Sequence, residues 1–212
     1  MDIDIMMERL NAAFGANRPI FTDEILKEFA ELSRPRVFQL LKKAEGEGKL
    51  SRFSQGVYFI PTRTRYGASV LSVEDVVKKK YVENRGEING IYGGLQLRQS
   101  FHLTEQVPSA IEIVTNRETT WVRSKRVKNR LVILRKARTP ITKDNADAYT
   151  LLELFCDLDM EEYFANRPAQ KEVIRFVRDR GIKSKDVFSL SASFPSKATR
   201  NIVASGIVHE FA

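Results

Sequence analysis

TDEILKEFAELSRPRVFQLLKKAEGEGKLSRFSQGVYFIP, residues 22–61, is where the fold of this chain can first be read. Apolar residues recur at helical spacing at Ile25, Leu26 and Phe29, and again at Val37, Leu40, Leu41 and Ala44, so two successive segments each have one stripe to bury. Ser33 stands where it can cap the second helix, and Pro35 falls in the first turn, where the missing N–H has no helical partner. Gly46 and Gly48 let the chain leave that helix. Residues 50–53 and 57–60 read as short strands, joined by Ser54-Gln55-Gly56, whose glycine supplies the positive φ of a tight hairpin. Pro61 cannot donate to a ladder and ends the ribbon. Helix, short turn, helix and two-stranded ribbon is the layout of a winged helix-turn-helix.

Working outward, residues 1–14 place Ile5, Met6, Leu10 and Phe14 at helical spacing and supply a first helix for the same unit. Asn17-Arg18-Pro19 is a break, Ile20-Phe21 a short strand, and Thr22 the expected N-cap of the next helix. With the second helix buried through Val37, Leu40, Leu41 and Ala44, a rotation of about 100° per residue carries Gln39 and Lys42 to the far face, flanked by Arg36 and Lys43. Arg34 sits at the helix start, where the backbone dipole also favours a phosphate. Arg and Gln hydrogen-bond guanine and adenine edges, whereas Lys mainly neutralises phosphate. Arg52 and Gln55 ride on the ribbon, with Arg63 and Arg65 just past it. A solvated helix face or a protein-interaction module would also carry such cations. The charge asymmetry favours nucleic acid: before Leu32 lie Asp2, Asp4, Glu8, Asp23, Glu24, Glu28 and Glu31, and from Arg34 to Arg65 the balance reverses. Arg34, Arg36, Gln39, Lys42, Lys43, Arg52 and Gln55 are therefore the candidate DNA-binding set.

The totals agree with a polyanionic partner. The 212 residues carry a formal net charge of +8, with 42% hydrophobic and 29% charged residues, the composition of an ordinary globular protein of one or two domains. The single cysteine, Cys156, permits no disulfide within the chain, which suits a reducing cytoplasm; set among Leu154 and Phe155, it reads as a buried small hydrophobe. The acidic start lacks the basic end and apolar core of a signal peptide, and no apolar run reaches membrane-spanning length, so no membrane partner is expected.

Residues 62–72 are polar and basic without a period, which places a junction between a domain 1–66 and a domain 67–212. A helix capped by Ser72 should follow, with Val73, Val76, Val77 and Tyr81 inward and Lys78, Lys79 and Lys80 on its solvated side. Gly86, Gly90, Gly93 and Gly94 are too irregular for a dinucleotide fingerprint and lack a Walker lysine; they serve a turn and a close helix contact. Residues 95–101 read as helix, and 103–108 as an extended exit to Pro108. Residues 110–115, 119–123 and 131–135 read as strands, broken at Asn116-Arg117 and Lys128-Asn129. Arg123, Lys125, Arg126, Lys128 and Arg130 cluster there, with Arg135, Lys136 and Arg138 beyond and Trp121 at the edge. Two readings of that cluster stand side by side: a second nucleic-acid or antitoxin surface with an aromatic stacking platform, or an edge ribbon kept soluble by its cations. Helices at 145–158, 168–180, 184–190 and 196–204 complete an α+β chain: a winged helix-turn-helix followed by a mixed α/β C-terminal domain with a small sheet and several helices.

Catalytic signatures are thin. His102 and His209 have no metal-ligand spacing, no GxSxG elbow occurs, and Asp157 and Asp159 read as helix-end chemistry. Neither an acidic pair leading to a Glu-x-Lys strand nor the Gly-Ser and paired aspartates of a nucleotidyltransferase is present, so no enzyme, metal or cofactor is expected.

The unit closing on Gly56-Val57-Tyr58, the helix from Ser72 to Tyr81, and the Gly-rich entry to Leu103-Thr104-Glu105-Gln106-Val107-Pro108 with the strand from Ile111 to Thr115 resemble the AbiEi-type antitoxin family up to about Asp159. His102 departs from that pattern by standing where a glycine is expected. The resemblance implies a bacterial or phage-borne repressor that binds an inverted-repeat operator as a monomer or weak dimer pairing on DNA. It also implies a functional partner, a nucleotidyltransferase toxin, that need not be touched. The alternative is a winged-helix regulator whose C-terminal domain senses a small molecule or protein; an enzyme acting on nucleic acid is a third reading.

Overall fold

The computed structural model describes residues 2–65 and 67–212, and of Thr64 the backbone only; Met1, the start of the expected first helix, and residue 66, the expected boundary, lie outside the described residues. The chain is mixed α+β and divides into two compact units, Met1–Val76 and Val77–Ala212.

In the first unit, α1 (Ile3–Phe14) begins where the Asp2 carboxylate accepts from the Ile3 amide at 2.6 Å. β1 (Ile20–Phe21) leads into α2 (Thr22–Glu28). Thr22 is the first helical residue and not the cap: Phe21 occupies that position, its amide donating to Glu24 Oε2 at 2.9 Å. α3 (Arg34–Gly46) follows, then β2 (Ser51–Ser54) and β3 (Val57–Phe59), which form a three-stranded antiparallel sheet in the order β1-β3-β2. Gly56, at φ +76°, makes the hairpin turn. The core joins Ile3, Met6, Leu10 and Phe14 of α1 to Ile25 and Phe29, to Val37, Leu40, Leu41 and Ala44, and to Ile20, Leu50 and Tyr58. Each such side chain contributes about 1.5–3 kcal/mol by leaving water. The early acids are largely structural: Arg9 lies 4.4 Å over the Phe29 ring, pairs with Glu28 at 3.2 Å and bonds Glu31, while Lys49 pairs with Asp4 at 2.6 Å and Glu47 at 2.9 Å.

The stretch 62–72, expected to be irregular, contains a small antiparallel ribbon, β4 (Arg63–Thr64) and β5 (Gly67–Ala68). Strands of two residues leave no period to detect. α4 (Val73–Val77) is capped by Ser72, whose hydroxyl accepts from the Asp75 amide at 3.0 Å, and it runs on through a π-helical turn, Lys78–Val82.

In the second unit that turn is followed by a hairpin, β6 (Glu83–Asn84) and β7 (Glu87–Ile88), turning on Arg85 and Gly86 at φ +52° and +81°. Then come β8 (Gly90–Tyr92), α5 (Gly94–Ser100), β9 (Ala110–Thr115), β10 (Val122–Val127) and β11 (Arg130–Lys136). The sheet order is β10-β11-β9-β8, with β11 parallel to β9 and the other pairs antiparallel. β10 corrects the expected strand at 119–123, and β8 was hidden in the glycine run. Gly90 is needed for close approach: a Cβ there would meet Val114 O at 2.6 Å and Tyr81 O closer still.

α6 (Ala146–Cys156) is buried on nearly every side, at the centre of a core that includes Ile91, Val114, Leu151, Phe155, Val173 and Ile202. Around it stand α7 (Met160–Ala165), α8 (Arg167–Arg180), α9 (Ser184–Ser191) and α10 (Ser196–Ala204). Asp157 and Asp159 serve different helix ends: Asp157 follows α6, and the Asp159 carboxylate caps α7 by accepting from the amides of Glu161 and Glu162 at 2.8 and 3.2 Å. The buried Asn201 amide donates to the carbonyls of Phe155 and Leu158 at 3.1 and 3.2 Å, satisfying the C-terminal end of α6.

Candidate nucleic-acid interface

α3 divides its residues by periodicity. Val37, Leu40, Leu41 and Ala44 are buried, whereas Arg34, Arg36, Gln39, Lys42 and Lys43 are all exposed. Ser33 occupies the cap position at φ −65° and ψ 142°, but its side chain makes no cap hydrogen bond, a correction to the sequence reading. Arg34 opens the helix with its guanidinium carbon 5.8 Å from the centre of the Phe38 ring, and Lys43 reaches Glu47 at 3.9 Å. Phe38 was overlooked in the sequence reading; it is 38% exposed on the helix, outside the buried stripe, and an aromatic beside that stripe was the signal.

The hairpin carries the other two candidates. Arg52 is exposed with its guanidinium carbon 5.9 Å from the centre of the Tyr58 ring, and Gln55 is exposed at the turn before Gly56. Burial raises the Tyr58 phenol above its ordinary value even though the Arg52 charge opposes the shift. Arg63 and Arg65 are also exposed. All seven candidates thus present their side chains to solvent within the first unit.

The basic cluster of the second unit is dispersed by the alternation of its strands. Arg123 and Lys125 share one face of β10, and Arg126 points to the other. Arg123 pairs with the buried Glu118 at 2.8 Å. Lys125 is half-buried, its ammonium 4.4 Å from the centre of the Tyr81 ring and bonded to the Tyr81 hydroxyl. Burial, and then the Arg123 charge, lower the Lys125 ammonium below its ordinary value. Arg130 is half-buried, whereas Arg126 and Lys128 are exposed. Lys128 forms the hairpin tip with φ +51°. The five residues therefore do not make one continuous surface.

Further along β11, Arg135 lies between two carboxylates, with Nε 2.8 Å from Glu112 Oε1 and Nη2 bonded to Glu153, which is 5% exposed. Burial alone would lower the Arg135 guanidinium, but Glu153 and Glu112 together hold it above its ordinary value. Gly93 and Gly94 leave room for this arrangement: a Cβ on Gly93 would come within 3.1 Å of the Arg135 guanidinium, and one on Gly94 would overlap the Glu112 carboxylate. The cluster is an internal ion network.

His102 lies at φ +55°, the left-handed conformation that favours glycine, and lines a cleft of about 440 Å³ with Leu103, Thr104, Glu105, Asn166 and Pro168. Cys156 is buried, and burial, with the Glu153 charge, pushes its thiol up to about 11, so it stays protonated at neutral pH. Among the described residues, no helix is long and apolar enough to cross a membrane. Compared with models of known protein families and with curated proteins, the chain finds no match in either.

Proposed function

We propose that the first unit is a winged helix-turn-helix that reads duplex DNA, and that the chain is an auto-repressing antitoxin of the AbiEi type. The observation that carries this reading is the exposed face of α3, where Arg34, Arg36, Gln39, Lys42 and Lys43 stand opposite a fully buried apolar stripe. A helix presented in this way fits a major groove. Arg36 and Gln39 would bond base edges, Lys42 and Lys43 would neutralise phosphates, and Arg34 would meet a phosphate at the helix start. Phe38 offers an apolar surface for a thymine methyl group. Arg52 and Gln55 reach the flanking backbone or minor groove, and two copies occupy an inverted repeat. The functional partner is a nucleotidyltransferase toxin encoded beside it.

Fluorescence anisotropy on a labelled duplex from the region upstream of the gene tests the DNA reading. Arg36→Ala should cost about 1–3 kcal/mol on the specific site and far less on random duplex. Lys42→Ala should weaken both equally and reduce the salt slope by about 1. Equal losses for both variants, or affinity indifferent to ionic strength, would overturn it. A second reading, a sensor of small molecules, is favoured by the cleft of about 440 Å³ at His102 and Asn166; a ligand-induced rise in melting temperature that tracks altered DNA affinity would support it.

A further inference from the structure

We propose that Trp121 is a stacking platform for the unpaired bases of single-stranded nucleic acid, a site separate from the duplex-reading helix and independent of it. Trp121 is 63% exposed, more than any Phe among the described residues. An indole left this open keeps a broad, flat apolar face available for stacking.

The exposure is built into the loop. The buried Glu118 carboxylate accepts through Oε1 from the amides of Thr119 and Thr120 at 3.0 and 3.2 Å and from the Thr120 hydroxyl at 2.8 Å, while Oε2 holds Arg123 at 2.8 Å. Burial pushes the Glu118 carboxyl up, but these bonds and the Arg123 charge keep it below its ordinary value and therefore ionised. On the other side, Asn116 exchanges two hydrogen bonds with the Ile141 backbone at 2.6 and 2.8 Å. The Lys136 amide donates to Trp121 O at 3.1 Å, tying the loop to the end of β11. The backbone that carries the indole is therefore tied in place before anything binds, which reduces the ordering cost of stacking.

Cations complete the site. The Arg138 guanidinium carbon is 5.7 Å from the centre of the indole ring, and Arg138 and Lys136 line a small cavity of about 30 Å³ beside it, whose wall also holds the Arg135–Glu153 ion pair. A flat aromatic ring flanked by arginine and an exposed lysine suits a base with its phosphates on either side. Bases within a duplex are already stacked on one another, so an indole at a surface selects the single strand. An acidic peptide would use the cations and leave the ring bare.

Trp121 is the only tryptophan, so the intrinsic fluorescence of the full chain reports this position alone. Titration with ten-nucleotide oligo(dT) and oligo(U) should quench it saturably, and a duplex of the same length should leave it unchanged even where the duplex binds. By anisotropy of a labelled single strand, Trp121→Ala should weaken binding about 5- to 150-fold, the range expected for loss of one base–aromatic stack. Trp121→Phe should retain most of the affinity, which separates stacking from loss of the loop. Absence of quenching by single strands, equal quenching by duplex, quenching by oligo-glutamate in place of oligonucleotide, or unchanged affinity in Trp121→Ala would overturn the proposal.

Discussion

On α3, Arg36, Gln39, Lys42 and Lys43 project from a helix whose other side is entirely apolar; on β10 and β11, Arg123 and Lys125 are bonded to Glu118 and Tyr81, and Arg135 is enclosed between Glu112 and Glu153. The two stretches look alike in composition. Their geometry separates them: a helix turning about 100° per residue can gather its cations on one side, whereas a strand sends successive side chains to opposite faces. Cations carried inward by a strand must find carboxylates or aromatic rings, whereas those on the helix face stay largely in water.

The sharpest way to break this contrast is to remove a cation from each region. Arg135→Leu leaves the Glu112 and Glu153 carboxylates partly buried without their shared partner, and should destabilise the chain by about 3–5 kcal/mol in urea denaturation. Arg36→Ala, on an exposed face, should change stability by less than about 0.5 kcal/mol. Similar midpoints for the two variants would erase the distinction.

A pH series should sharpen it. Burial raises the Cys156 thiol from 9.0 to about 11 and the Tyr163 phenol from 10.0 to about 12, and it raises the Tyr149 phenol in the same core. Each group is held neutral when folded, so its stabilisation is complete below the unfolded value and is lost as pH rises through the folded one. Stability measured by circular dichroism in urea should therefore hold near pH 8 and fall between about pH 9 and 12. A flat profile across that range would contradict the buried positions of these groups.

A modest gain is expected at a position outside both charged surfaces. His102→Gly relieves a left-handed backbone at φ +55°, which costs a non-glycine residue about 1–2 kcal/mol. The greater freedom of glycine in the unfolded chain offsets about 0.4–1 kcal/mol of that. A net gain of about 0–1.6 kcal/mol is expected, with duplex binding unchanged; a loss of stability would mean that the imidazole makes contacts that matter more than its backbone.

Local periodicity made much of this legible in advance. The buried stripe of α3, the glycine of the β2–β3 turn, and the bounds of β9 and α10 follow from residues within a turn or two of each other. His102 takes up the left-handed conformation that glycine favours, which a histidine at that position does not signal by itself. β10 was misplaced because Thr119, Thr120 and Trp121 have strand-type side chains, yet Glu118 takes the two threonine amides for itself, and the true strand is mostly polar. α7 was missed because Asp159 looked like the end of α6 while starting another helix. Of the candidate site, the exposed helix face was readable from spacing alone. The partners of Lys125 and Arg135 were not, because Tyr81, Glu112 and Glu153 are distant in sequence and meet those cations only through the fold.

β11 is inserted between β9 and β10, although it is the last of the three to be made. A chain emerging from the ribosome can pair β9 with β8 but cannot join β9 to β10, since the other edge of β9 and the bonded edge of β10 both belong to the strand still to come. The apolar side chains of Ile111 and Ile113 therefore stay without their neighbours Val132 and Leu134 until synthesis has passed Lys136. Translation halted near residue 128 would release a product with an open, sticky strand, a natural substrate for chaperones and proteases.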